Sequence, residues 1–381
     1  MNNKNLTIIF LTTLMAVLGV ASITPAFPTI IKHFGITPPQ VALLITVFTV
    51  PGVFLAPVLG ILADRFGRKI ILIPSLLLFG IAGGACFFID NWEILLVLRF
   101  FQGIGGAALG LINVTLIGDI YEGKKRSEMM GYNASVLSTG TALYPAIGGL
   151  LAMAGWQFPF LLPLLALPAA LLAFLWLKTP EPHKKQTFKS YLKNTWKNIN
   201  RKTVWGIFII NVLLFFILYG AFLSFFPQLM KERFDASALY IGIIMSGFSV
   251  ITAITASQKR HINRILSIKI QIYISLFLYM VAMLLISASH QWWQLFFPLV
   301  AFGLAQGMLM PEVQTLLVGF APLNERAGFM SVNSMVLRLG QSVGPLFIGL
   351  FYALGGVAIA FVGGAAVAVV MLLVAIFMVK V

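Results

Sequence analysis

This sequence is short of charge, and of acid above all. Eleven Asp and Glu stand against 26 Lys and Arg in 381 residues, and charged residues of both signs make up 10% of the chain. A soluble domain carries about a quarter charged residues and about half apolar ones. Here 60% of the residues are hydrophobic, which excludes a soluble globular protein. The one cysteine, Cys86, lies in an apolar run, so neither a disulfide framework nor a thiolate metal site is available. The four histidines, His33, His183, His261 and His290, are too scattered for a metal centre or a nucleophile relay. There is no phosphate-binding loop, so no nucleotide or other cofactor is implied, and work must draw on a gradient. No set of acid, His and Ser points to an enzyme. A formal net charge of +15 would suit nucleic acid, but the bases sit in the breaks between apolar runs, as orientation signals do.

What is present is a series of apolar runs, each long enough to cross a bilayer as a helix of about 20 residues. About twelve are predicted, near 6–31, 40–62, 70–89, 94–118, 128–152, 157–177, 203–229, 238–257, 268–288, 292–318, 326–353 and 356–379. The first is long and has no cleavage-like site after it, so it reads as a retained span. A Lys-rich segment with Pro180 and Pro182 divides the series six plus six. The expected domains are 1–177, a linker over 178–202, and 203–381. With the N terminus inside, 21 of the 26 bases fall in cytoplasmic segments. Both termini are therefore expected in the cytoplasm, in a multi-pass protein of the cell (inner) membrane.

The halves echo each other. Arg126, Met130, Asn133, Leu137, Gly140, Pro145 and Gly149 recur as Arg326, Met330, Asn333, Leu337, Gly340, Pro345 and Gly349, every pair 200 residues apart. Gln102-Gly103 and Gln306-Gly307 form a weaker echo.

Between the second and third runs stands Gly60-Ile-Leu-Ala-Asp64-Arg65-Phe-Gly67-Arg68-Lys69. A turn at a membrane surface needs only polarity, and this one adds an acid, three bases and two glycines at set spacing. Gly60 allows another helix to approach. Asp64 is expected at a neighbouring helix N terminus. The bases can reach an acid on another helix, Asp119 for Arg68, or lipid phosphates. The pattern resembles the signature loop of the major facilitator superfamily. That resemblance implies an all-α membrane protein of two pseudo-symmetric six-helix bundles, with this loop in a gating role. The counterpart segment Gln258–Arg264 keeps the bases and loses the acid and glycines, which predicts an asymmetric lock.

Further motifs resemble those of twelve-span drug:proton antiporters. Leu18-Gly19 with Pro25 and Pro28 predicts a kinked first span. Arg99, in Arg99-Phe-Phe-Gln102-Gly103, resembles a motif linked to proton transfer. Gly140, Pro145 and Gly149, with Gly340, Gly344 and Pro345, resemble the antiporter motif, although Tyr144 replaces a glycine in the first copy. Arg99, Glu312 and Arg338 are expected as buried charges serving proton coupling, with Glu312 paired to Arg338 on the next span. Asn113, Ser138, Asn211, Tyr219 and Gln306 are weaker substrate-binding expectations. The resemblance implies a monomeric secondary transporter, with a small-molecule substrate, protons as coupling ion and membrane lipids as surroundings. Proton-coupled efflux of small lipophilic compounds is the leading reading. Transport of a metabolite or organic anion held by an intramembrane Arg stands second, and a non-transporting receptor or scaffold is a remote third.

Overall fold

A computed structural model describes residues 3–179, 201–320 and 326–379. Most of the expected 178–202 linker lies outside the described residues, as do the side chains of Arg326 and Met330.

The spanning helices are α1 (Lys4–Phe34), α2 (Pro38–Phe66), α3 (Arg68–Phe88), α4 (Trp92–Ile120), α5 (Gly123–Ala154), α6 (Phe158–Trp176), α7 (Lys202–Phe234), α8 (Ala238–Ser257), α9 (Ile268–Ala288) and α10 (Trp292–Phe320). The last helical stretch, Arg326–Met378, is too long for one crossing, and its backbone leaves the helix at Gly355 and Gly356. Gly356 has φ 73°, a conformation open chiefly to glycine, so the stretch divides into α11 and α12 there. The expectation of about twelve spans in an all-α membrane fold holds.

Proline marks the irregular turns. Pro25 lies in a 3-10 turn, Thr24–Ala26, that interrupts α1, and Pro28 opens the helical segment after it. Neither can donate the backbone bond that a continuous helix needs there. In α7 the interruption is different: ten residues, Phe216–Phe225, are wound as π-helix. Such turns are rare and concentrate at functional places.

Two compact units result. One gathers the first half of the chain together with Ala238–Ile243, and the other gathers the second half together with Thr37–Thr46. Inside each, small residues let helix backbones touch. A Cβ on Gly148 would lie 1.8 Å from the Ser22 carbonyl oxygen of α1, and one on Gly103 would lie 2.1 Å from the Phe48 carbonyl of α2. In the second unit a Cβ on Gly340 would lie 2.6 Å from the Val212 carbonyl of α7. Gly140 faces Leu14 and Val17 of α1 as Gly340 faces Val212 and Phe215 of α7. The sequence repeat is thus also a repeat of packing, α1 on α5 and α7 on α11. The second unit carries an aromatic core in which Phe222, Phe248 and Phe302 lie with ring centres 4.7–4.8 Å apart. Offset aromatic contacts of this kind add to simple burial.

Candidate functional site

The α2–α3 turn is held by charge. Gly67, at φ 100°, reverses the chain between the two helices, a conformation that disfavours a side chain. Arg68 opens α3 and binds two acids, Asp64 in its own turn and Asp119 near the end of α4, the latter at 2.9 Å. Asp64 thus engages Arg68, where a helix N terminus was anticipated. Lys69 donates to the Phe174 carbonyl of α6 at 2.6 Å. Arg126 donates to the Gly118 carbonyl at 2.5 Å, tying the start of α5 to the end of α4. Arg65 lies over the Phe66 ring, 5.4 Å from its centre. Gly60 faces Leu111 of α4, whose methyl would lie 2.8 Å from an added Cβ. The turn therefore clasps α4 and α6 within the first unit.

Deeper in that unit, Arg99 is fully buried. Its guanidinium donates to the Gly19 carbonyl of α1 at 2.8 Å and to Gln102 Oε1 at 2.5 Å. The Phe48 ring lies below it, 4.5 Å to the ring centre. A charge at membrane depth costs about 2.5–3.5 kcal/mol on insertion scales, and the carbonyl, the amide and the π face together offset that cost. Gln102 Nε2 is buried without a hydrogen-bond partner among the described residues. Gly19, read in the sequence only as part of a kink, supplies a carbonyl here, and Phe48 carried no sequence signal at all.

Glu312 is buried in α10, but its partner is not the anticipated one. Lys259, at the head of the short Lys259–Ile265 helix after α8, lies 3.4 Å from Glu312 Oε1. The Asn263 amide lies 3.2 Å from the same oxygen. The pairing of Glu312 with Arg338 is corrected accordingly: the short helix brings a lysine to the acid first. Glu312 Oε2 is buried and has no hydrogen-bond partner among the described residues. The segment that lost its own acid thus finds one on α10, as Arg68 finds Asp119 on α4. Arg338 is half-buried and bonds Gln341 at 3.4 Å.

The weaker polar expectations divide. Asn113 donates to Thr13 Oγ1 at 2.8 Å, and Thr13 bonds Asn133 at 2.5 Å, joining α4, α1 and α5. Asn211 bonds Asn333 at 2.7 Å, and Asn333 reaches Gln314 at 3.3 Å, joining α7, α11 and α10. Asn133 and Asn333 are repeat partners, so each unit ties corresponding helices through an equivalent node. Gln306 accepts from the Tyr279 hydroxyl. Ser138 is half-buried, and its carbonyl accepts from Thr141. Among the prolines and glycines, Pro145 and Gly149 meet α8 within the first unit: an added Cβ on Gly242 would lie 2.2 Å from the Pro145 carbonyl, and one on Gly149 2.3 Å from the Ala238 carbonyl. Gly344 packs on Phe216, beside Pro345. Gly148, Thr13, Lys259 and Tyr279 were missed as site residues, and the Gly148-Gly149 pair was the available signal for the first.

Helices of spanning length, an arginine buried inside one of them and a charged clasp at one helix turn define a polytopic membrane protein of the transporter type. The family model of the Major Facilitator Superfamily matches residues 9–269 and 209–381, and the chain belongs to that superfamily. It is 28% identical over 360 residues to Multidrug resistance protein 1 of Bacillus subtilis, covering 92% of this chain and 91% of the relative. It is 24% identical to the Quinolone resistance protein NorA of Staphylococcus aureus, covering 92% and 90%. The solved nucleoside transporter NupG superposes with a TM-score of 0.81 at 14% identity, over 99% of this chain and all of that one, a likeness of fold.

Proposed function

We propose that the protein exports small lipophilic compounds in exchange for protons, by alternating access. Residues 1–177 and 203–381 act as the moving halves, joined by 178–202. Export is supported by similarity running end to end along curated drug-resistance proteins. The observation that carries proton coupling is Glu312, a carboxylate buried within a span with one oxygen unbonded among the described residues and a lysine as its ionic partner. In this reading the Lys259–Glu312 pair parts and re-forms during the cycle. The clasp of Arg68 on Asp64 and Asp119 serves as the gate, made in one state and released in the other. The basic loops face the cytoplasm with both termini, following the positive-inside rule, and the protein works as a monomer in the cell membrane. One charge moving through 100 mV supplies about 2.3 kcal/mol, enough for a tens-fold substrate gradient.

The test is uptake of tetraphenylphosphonium into everted vesicles energised by a proton gradient. Wild-type uptake is expected to collapse when an uncoupler is added, and Asp64→Asn to lower it at least tenfold at equal expression. Uptake indifferent to the uncoupler refutes proton coupling, and full activity in Asp64→Asn refutes the gate. Glu312→Gln is expected to lower proton-driven uptake at least tenfold, measured as initial rates in the same vesicles. Uptake unchanged from wild type removes Glu312 from the coupling.

A further inference from the structure

Among the described residues three charges stand well inside the spans, away from their ends, and two of them are answered by the protein itself. Arg99 has a carbonyl, an amide and a ring, and Glu312 has Lys259 and Asn263. Arg338 differs. It stands twelve residues into its helix, about 18 Å along the axis at 1.5 Å per residue. Among the described residues the one hydrogen-bond partner of its guanidinium is Gln341 Oε1, at a long 3.4 Å. It is half-buried rather than enclosed.

The neighbourhood is built to hold that guanidinium in place. Gly340 and Gly344 bring the backbone of α11 against Val212, Phe215 and Phe216 of α7. Tyr219 lies on the π-helical part of α7, half-buried and within electrostatic reach of Arg338. Its carbonyl is engaged by Ser224, which helps hold the widened turn. The Tyr219 ring is backed by Phe215, with ring centres 5.5 Å apart.

We propose that Arg338, Gln341 and Tyr219 form a substrate-anchoring site that takes the carboxylate of an aromatic, lipophilic anion. The guanidinium offers a planar fork matched to a carboxylate. The Gln341 amide nitrogen and the Tyr219 hydroxyl supply further donors, and the Tyr219 ring, backed by Phe215, takes the ring system. The ligand supplies the negative charge that the described residues around Arg338 do not. This deepens the export proposal and rests on it for the ligand's passage, though not for its binding.

The experiment compares two probes of one shape and opposite charge, pyrenebutyrate and pyrenebutyl-trimethylammonium, binding to purified full-length protein in detergent. Wild type is expected to prefer the anion. Arg338→Gln should weaken anion binding at least tenfold and leave the cation within twofold, with Arg338→Lys in between and Tyr219→Phe about threefold weaker than wild type. A wild type that prefers the cation, or an Arg338→Gln protein that keeps its melting temperature and binds pyrenebutyrate as wild type does, overturns the site. If Arg338→Gln does not fold, Gln341→Leu and the wild-type preference decide in its place. Flux of both probes is then followed in proteoliposomes. Absence of any flux counts against the transporter reading, whereas cation flux without anion binding counts against the anchor alone.

Discussion

Arg99→Ala is expected to reduce transport to the background of empty vesicles. The arginine is fully buried and joins α4 to the Gly19 carbonyl of α1, beside the broken turn at Pro25. Hydrogen bonds to a charged group contribute about 1.5–3 kcal/mol each, and truncation strands their buried partners. Alanine would leave the Gly19 carbonyl and the Gln102 amide unanswered and open a void over the Phe48 ring. Arg99→Lys is expected to restore folding in part and transport hardly at all. An ammonium is a compact point donor and does not reproduce the planar fork that meets a carbonyl, an amide and a ring together. Initial rates in everted vesicles, read beside thermal melting of the purified protein, separate the two effects. Wild-type transport by Arg99→Ala would show that the arginine has no part in the cycle.

The second large effect is steric. Gly148→Ala is expected to lower the melting temperature sharply and to cut the yield of folded protein. Its Cβ would stand 1.8 Å from the Ser22 carbonyl oxygen, so α1 and α5 would have to separate by more than 1 Å. Overpacking a close contact costs about 1–3 kcal/mol when a flexible side chain can give way, and here the obstacle is backbone. The control lies in the same helix. Gly131 has nothing within 4 Å of an added Cβ, and Gly131→Ala is expected to be neutral or stabilising by up to about 1 kcal/mol. Equal melting temperatures for the two alanine variants would contradict the close crossing of α1 and α5.

Much of this was legible in the chain because the bilayer is a strict solvent. A backbone that can bond only to itself becomes helix over some 20 apolar residues, and the spans follow from that rule. The 200-residue echo exposed the repeat, and Gly140 and Gly340 indeed press on corresponding helices. Glu312 shows where reading stopped. Its nearest charged neighbour in span order was Arg338, yet the ion pair goes to Lys259, 53 positions earlier in the chain. Which of two cations reaches an acid depends on where a short helix points after α8, and the apolar pattern does not encode that. The nodes around Asn133 and Asn333 were visible as repeated letters, and only packing showed that each ties three helices.

Composition and periodicity by themselves determined that this chain crosses the membrane about a dozen times, repeats itself and carries charge where charge is costly, because burial in lipid constrains residue type position by position. Tertiary structure alone decided which charge answers which: Arg68 with Asp119, Arg99 with the Gly19 carbonyl, Glu312 with Lys259, and Arg338 with the Gln341 amide. Electrostatic partnership depends on distances of a few ångströms between helices far apart in sequence, and those distances exist only once the helices have packed.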